Sequence, residues 1–403
     1  MTGNRRYSVH EAGKMILDTI REVPEQEIPI RDSLGYVLSR NVYTRIAQPP
    51  FPRSAMDGYA LKAKETRGAG QETPVYFKVA GCQFAGDPYF RKLLPGEALR
   101  IMTGAAIPEG ADAVIRQEDT DCGEDRVAVY AQVENLQNYC EIGEDFPEGL
   151  CLAEEGDLVD AFLISAAAAG GISSFMVRRK PKVALLTTGD EIQTPGTRLE
   201  EGKIYNSQEA LFTARLRQLG CEVSFISSPG DSVEKIMEAM KEASRCSDLI
   251  ITTGGVSVGL KDCIPEVMER LEAEIIFHGI SVKPGMPTMF SLYRDIPVLS
   301  LSGNPYSASA IFELLVQPIV RKMTGNRRQV LKKVTGISGD TFEKKQKITR
   351  FLRGYYEDGK ISFGKGQRNG QTRAGIGCNC LICLEPGQGP VKIGDELTAY
   401  LIY

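Results

Sequence analysis

Apolar residues near the N-terminus recur at helical spacing. Ala12, Met15, Ile16 and Ile20 follow Ser8 and Glu11, whose separation matches a capping box. The spacing predicts a helix that starts at Ser8 and is closed by Pro24. A second short helix is predicted near Asp32, running through Leu34, Val37 and Leu38. Gln48-Pro49-Pro50-Phe51-Pro52 then takes an extended course, since each proline biases its predecessor away from the helix. It reads as a crossing between lobes. From about residue 72 to 135 the period changes to two: Val127, Val129, Ala131 and Val133 alternate with Ala128, Tyr130 and Gln132, after the turn Gly123-Glu124-Asp125. This predicts a small inserted β-rich domain. Helical character returns over residues 158–169.

The middle third has another pattern. Val183-Ala184-Leu185-Leu186, Asp248-Leu249-Ile250-Ile251 and Pro297-Val298-Leu299-Ser300-Leu301 are short apolar runs without alternation. Helical segments over 207–219 and 232–243 lie between them, the first ended by Gly220. Strands buried on both faces that alternate with helices predict a doubly wound, parallel α/β domain over residues 178–326. Residues 327–403 show short alternating strands with Gly turns and predict a small C-terminal β domain. The fold class is therefore multidomain, α/β plus β.

Length and composition narrow the chemistry. The chain has 403 residues, 42% hydrophobic and 25% charged, which suits several globular domains. A net charge of −4 excludes broad nucleic-acid or anionic-membrane binding as the main activity. No apolar run reaches the ~18 residues of a membrane span, and Met1 to Arg6 lacks a signal-peptide core. The ten cysteines form no compact framework and are read as reduced thiols in a cytoplasm. Cys378, Cys380 and Cys383, in a strand-like run, are read as small buried hydrophobes rather than metal ligands. With His10 and His278 the only histidines, chemistry falls to carboxylates, lysines, backbone amides and a hard metal.

Three α/β strands end in loops of glycine and small hydroxyl residues. They are Thr187-Thr188-Gly189-Asp190-Glu191, Thr252-Thr253-Gly254-Gly255-Val256-Ser257-Val258-Gly259 with Asp262, and Ser302-Gly303-Asn304-Pro305-Tyr306-Ser307. Ligands of open α/β sheets bind at the carboxyl ends of strands, and such loops let backbone approach an anion. The pattern is neither a P-loop nor a dinucleotide fingerprint. Asp190, Glu191, Asp231 and Asp262 would sit beside the anion, which suits an intervening Mg²⁺; for Asp231 and Asp262 helix capping is the competing explanation. Lys283-Pro284-Gly285-Met286-Pro287 is a stiff basic turn, suited to an oxyanion or simply a surface turn. Asp57, in Ser54-Ala55-Met56-Asp57-Gly58-Tyr59-Ala60, and the turns Met102-Thr103-Gly104-Ala105 and Gly143-Glu144-Asp145 each read singly as structural.

In this order, those segments, with Pro108 to Val114 and Ile204-Tyr205-Asn206-Ser207, resemble the molybdopterin molybdenumtransferase family, the family of MoeA and the gephyrin E domain. The resemblance implies four parts: a split linker and dimerisation domain at 1–44 and 140–177, the inserted β-rich domain at 45–139, the molybdopterin-binding α/β domain at 178–326 and the β domain at 327–403. It implies a homodimer with the active site between the α/β domain of one subunit and the inserted domain of the other. It implies Mg²⁺-dependent insertion of molybdate into adenylated molybdopterin with release of AMP, and possible contact with a molybdopterin adenylyltransferase. Thr103, Thr188, Gly189, Asp190, Gly254, Gly255, Ser257, Ser302, Gly303, Asn304 and Pro305 would bind the pterin nucleotide. Glu191, Asp231 and Asp262 would position the metal, Asp57 and Asp145 would complete the site, and Lys283 would attract molybdate.

Two cations of the family pattern are replaced. Met286 stands where the basic turn has its second lysine, and Asn138 is followed by Tyr139 and Cys140 rather than leading to an arginine. Gly366 to Gly370 follows the family's Gln-x-Ser pattern only loosely. These departures leave open a paralogue that inserts tungstate and a non-catalytic pterin carrier or scaffold.

Overall fold

Ser8 and Glu11 form the expected capping box, each accepting the other's backbone N–H, and start helix α1 (Val9–Thr19). The computed structural model describes residues 6–88, 90–257, 259 and 262–402. Residues 1–5 of the polar N-terminus, and Val258 of the second loop, lie outside them. The helix predicted over 32–38 does not form. A single 3-10 turn covers Ile30–Asp32, and Gly35 then takes a φ of +78°, which a helix cannot continue through. Val37 and Leu38 pair instead with Leu158 and Val177. Beside them Glu25–Pro29 pairs antiparallel with Ser174–Arg178, so the first and last stretches of the N-terminal half share one layer with helix α2 (Ala161–Ala169).

The chain leaves this layer and returns to it as a two-stranded crossing. Gln48 bridges Phe146, and Arg53–Ser54 pairs with Tyr139–Cys140. Between them lies a five-stranded sheet ordered Ala113–Arg116, Gly58–Leu61, Glu97–Ile101, Val75–Gln83 and Arg126–Val129. The predicted 127–133 alternation is shortened to Arg126–Val129, and Ala128 is buried with its neighbours. Residues 119–121 fold over this edge: Asp121 Oδ1 accepts the Ala128 N–H, and Asp119 O accepts that of Tyr130.

The α/β sheet is ordered Glu222–Ser227, Lys182–Thr187, Leu249–Thr253, Ile296–Leu301, Met289–Tyr293 and Glu274–His278. The first four strands are parallel; Met289–Tyr293 runs antiparallel to both its neighbours, Ile296–Leu301 and Glu274–His278, so the predicted parallel sheet carries one reversed strand. The absence of alternation is explained by two covered faces. Val183 and Leu185 join one core with α1 and helix α3 (Ser207–Gln218), while Ala184 and Leu186 join another with α4 (Val233–Cys246) and α5 (Ile264–Arg270). After the sheet, α6 (Pro305–Ile311) runs through a π turn at Phe312–Val316 into α7 (Gln317–Met323). Pro318, which has no N–H to donate back along the helix, lies at this junction.

The C-terminal strands close on themselves. Thr349–Glu357 pairs with both Lys360–Phe363 and Cys380–Leu384, while Lys333–Ser338 and Glu396–Leu401 complete the ring. Val282–Lys283, from the α/β segment, adds parallel to Thr349–Arg350. Cys380 and Cys383 are buried in a strand whose five residues are all buried, so their run is not alternating; Cys378, just before it, is buried too.

Candidate active site

The cleft is built at the carboxyl ends of three parallel strands. The Thr188 backbone N–H donates to Thr253 O (2.8 Å), and the Gly254 N–H donates to Leu301 O (3.0 Å), which ties the three loops together. Gly254 and Gly255 have φ values of +89° and +60°, and a Cβ on Gly254 would stand 2.6 Å from Thr188 Oγ1. Only glycine fits there. The third loop packs on the second, since a Cβ on Gly303 would meet the Gly254 Cα at 3.4 Å. It then enters α6, with Asn304 at the cap position and Pro305 in the first turn.

These loops surround a cleft of about 600 Å³. Thr188, Gly189, Glu191, Asp231, Gly254, Gly255, Ser257, Asp262, Ser302, Gly303, Asn304 and Pro305 all line it. Asp190 does not line it; its carboxylate accepts the Asp231 N–H (3.1 Å), and Asp231 accepts the Asp190 N–H (3.2 Å). Ser232, not Asp231, caps α4, and Asp262 is not the cap of α5, whose cap residue is Cys263. Asp262 instead accepts the Gly259 N–H within its own loop. Lys203 Nζ donates to Asp190 O (2.6 Å), bringing a cation to the acidic side. The Cys263 thiol donates to Asp231 O (3.0 Å); burial, and then the Asp231 charge, push its pKa up, so it stays protonated.

Other candidates stand apart from this cleft. Asp57 and Thr103 form a unit on the inserted sheet, where Asp57 Oδ1 accepts the Thr103 N–H and hydroxyl, both at 2.7 Å. Those two bonds, the backbone one first, hold the Asp57 carboxyl below its usual range. Asp145 is exposed at the return crossing, its N–H donating to Gln48 O. Lys283 is exposed on the strand that joins the C-terminal ring. None of these four lines the cleft of this chain.

Sequence reasoning missed parts of the wall. Asn206 caps α3, and its Nδ2 donates to Thr187 Oγ1 (2.8 Å) and Glu209 (2.9 Å), fixing the first strand end. It stood in a quoted motif, yet had no assigned role. Gln208 lines the cleft and donates to Gly303 O, and Gly370 reaches it from the C-terminal domain. No sequence signal marks Gln208, and Gly370 stood in the quoted Gly366 to Gly370 stretch without an assigned role.

Fold and cleft together define a multidomain α/β protein with a cleft at the carboxyl ends of its parallel strands. The chain matches the family profile "MoeA N-terminal region (domain I and II)" over residues 7–171 and "Probable molybdopterin binding domain" over residues 184–322. It is 32% identical to the molybdopterin molybdenumtransferase of Staphylococcus epidermidis over 398 residues, covering 98% of this chain and 95% of that one. The Staphylococcus aureus protein of the same name is 30% identical over 397 residues, with the same coverage. Two crystal structures of the MoeA protein of Pyrococcus horikoshii superpose with TM-scores of 0.86 and 0.84, at 28% identity; they cover 99% and 98% of this chain and all of theirs. The chain belongs to the molybdopterin molybdenumtransferase family, and it is a transferase of molybdenum cofactor biosynthesis.

Proposed function

We propose that the chain inserts molybdate into adenylated molybdopterin and releases AMP. The observation that carries this reading is the glycine-lined cleft in which three strand ends and the start of α6 meet three carboxylates. Gly254, Gly255 and Ser302 to Pro305 would hold the phosphates, with Thr188, Gly189 and Ser257 also lining the cleft, and Asp190 positioning Asp231. Among the described residues no three carboxylate, cysteine or histidine side chains gather to hold a metal by themselves. The hard oxygen donors present suit Mg²⁺ bound through one or two carboxylates plus substrate phosphates. Glu191, Asp231 and Asp262 are the candidates in the cleft, of which one or two would hold it together with the substrate's phosphates, and when bound it would offset charge on the phosphates and the departing AMP.

Asp57, Thr103 and Asp145 serve a cleft other than their own chain's in this reading, so the active unit is a homodimer. Helix α2 supports it. The helix is apolar apart from Ser165, yet only Ala167 is fully buried, and Phe162 is 85% exposed beside the exposed Leu158. Lys283 would draw the molybdate oxyanion. Among the described residues no helix is long and apolar enough to cross a membrane. We place the reaction in the cytoplasm, with the substrate supplied by a molybdopterin adenylyltransferase.

The test mixes purified protein, adenylated molybdopterin and Mg²⁺ with a titration of molybdate or tungstate. Oxyanion-dependent AMP release with metal in the pterin is the expected result, and the more effective oxyanion names the metal. Tight pterin binding without AMP release would replace this reading with the carrier.

A further inference from the structure

The edge strand of the α/β sheet ends at His278. Met289–Tyr293 runs antiparallel to both of its neighbours, so Glu274–His278 points the same way as the parallel strands. His278 therefore emerges on the side of the sheet where the three loops lie. Its Nε2 is 2.8 Å from Val256 O, in the second loop. A carbonyl can only accept, so Nε2 carries the proton and donates, and this bond selects the tautomer. His278 also lines a hollow beside the cleft together with Ser257 and Asp262, which line the cleft itself.

Val256 is held by side chain and carbonyl alike. Its side chain is 1% exposed, in a core with Ile264 and Met268. Among the described residues His278 is the only donor to its carbonyl. Without that donor a buried acceptor is left unpaired, which favours a shifted loop. Ser257 follows directly. Farther along, Asp262 accepts the Gly259 N–H, and the Ile264 N–H donates back to Gly255 O (2.9 Å). Those two bonds stay within the segment, whereas the His278 bond ties it to the sheet edge. The anchor is itself fixed: His278 pairs with Met289, and the N–H groups of Gly279 and Ile280 donate to Thr288 O and Met286 O.

We propose that His278 is a positioning residue of the cleft: by donating from Nε2 to Val256 O it sets where Ser257 and Asp262 stand. The effect on turnover rests on the substrate reading above; the anchor itself does not. Three full-length variants test it. His278→Gln keeps an N–H donor at a similar reach. His278→Phe keeps a flat ring without the donor, and His278→Ala removes both. The residue is exposed, so the fold tolerates these changes, and either donor-less variant decides the question. Hydrogen–deuterium exchange of the ligand-free proteins reads the anchor, and steady-state AMP release reads turnover.

Peptides carrying the Gly259 and Ile264 amides should exchange about tenfold faster in His278→Phe and His278→Ala, and within about twofold of wild type in His278→Gln. The kcat for AMP release should fall about tenfold in the same two variants and recover in His278→Gln. Unchanged exchange in the donor-less variants would overturn the anchor. Faster exchange with unchanged AMP release would overturn the positioning role, and so would a His278→Gln protein as impaired as the other two. Wild type that releases no AMP would overturn the substrate reading, and the role in turnover with it, while exchange still decides the anchor.

Discussion

Asp190 and Asp231 hold each other's backbone: each carboxylate accepts the other's N–H, at 3.1 and 3.2 Å. The pair joins the loop after the first parallel strand to the turn before α4. An asparagine keeps the accepting oxygen and removes the charge, so substitutions can separate geometry from electrostatics. Asp190→Asn should retain most activity. Asp231→Asn should keep the turn and lose about 10²-fold in AMP release, the scale of one preorganised charge near the reacting groups. Single-turnover AMP assays check both. Equal, mild effects would remove Asp231 from the chemistry.

Gly254 is the most constrained point of the cleft. A methyl group there would press on Thr188 Oγ1 and Thr188 O, and the residue's φ of +89° disfavours any side chain. Gly254→Ala should destabilise the chain by roughly 1–2 kcal/mol from backbone strain alone. It should also raise the KM for the nucleotide substrate, because the loop must move away from the phosphates. Urea unfolding and steady-state kinetics read the two effects separately.

Arg215 and Glu313 form a two-pronged ion pair, at 2.9 and 2.8 Å, with both side chains 8% exposed. Arg215 Nη2 also donates to Ile402 O, so one guanidinium joins α3, the π turn and the C-terminal strand end. Removing one partner leaves a buried charge. Glu313→Leu should cost about 3–5 kcal/mol in urea unfolding. The double variant with Arg215→Met should recover much of that loss.

Stability of the inserted sheet should depend on acid through Glu97. Bonds from Arg91, and then from the Leu94 N–H, pull its pKa down to about 2. A carboxyl lowered on folding contributes stability that is complete above its unfolded pKa of roughly 4.3 and is lost as pH falls toward 2. Glu97→Gln should therefore lower the Tm at pH 7, and the gap to wild type should close between pH 4 and 2. A gap that stays constant would show that the contact acts by shape rather than charge.

Met286 lies within the basic turn, at the position where the family resemblance leads one to expect a second lysine. Met286→Lys should lower the molybdate concentration needed for half-maximal AMP release, with little change in nucleotide binding. No shift would mean that another residue supplies the charge, and Lys203, already beside Asp190, is the first to test.

The periodic elements were legible because one physical cause fixed each. Ser8 and Glu11 announced α1, and the unbroken apolar runs at 183–186 and 248–251 announced strands covered on both faces. The 32–38 stretch misled because its apolar spacing is helical while Gly35 turns the backbone the other way. Asp231 and Asp262 could not be told from caps by spacing; the structure gives those cap positions to Ser232 and Cys263. Gln208 was invisible because its contact with Gly303 O joins residues 95 positions apart, and spacing cannot show that. The far placement of Asp57 and Lys283 was likewise a matter of three dimensions.

Val282–Lys283 leaves the α/β segment to become an edge strand on the closed C-terminal ring. Modular in sequence, the two regions are therefore interlocked in space. A chain cut before residue 327 would lose the strand against which Lys283 is aligned, so its basic turn would lose its aim although every residue of the turn remained. Any swivel of the ring would carry that lysine with it, making the ring a rudder for the charge proposed to meet the oxyanion.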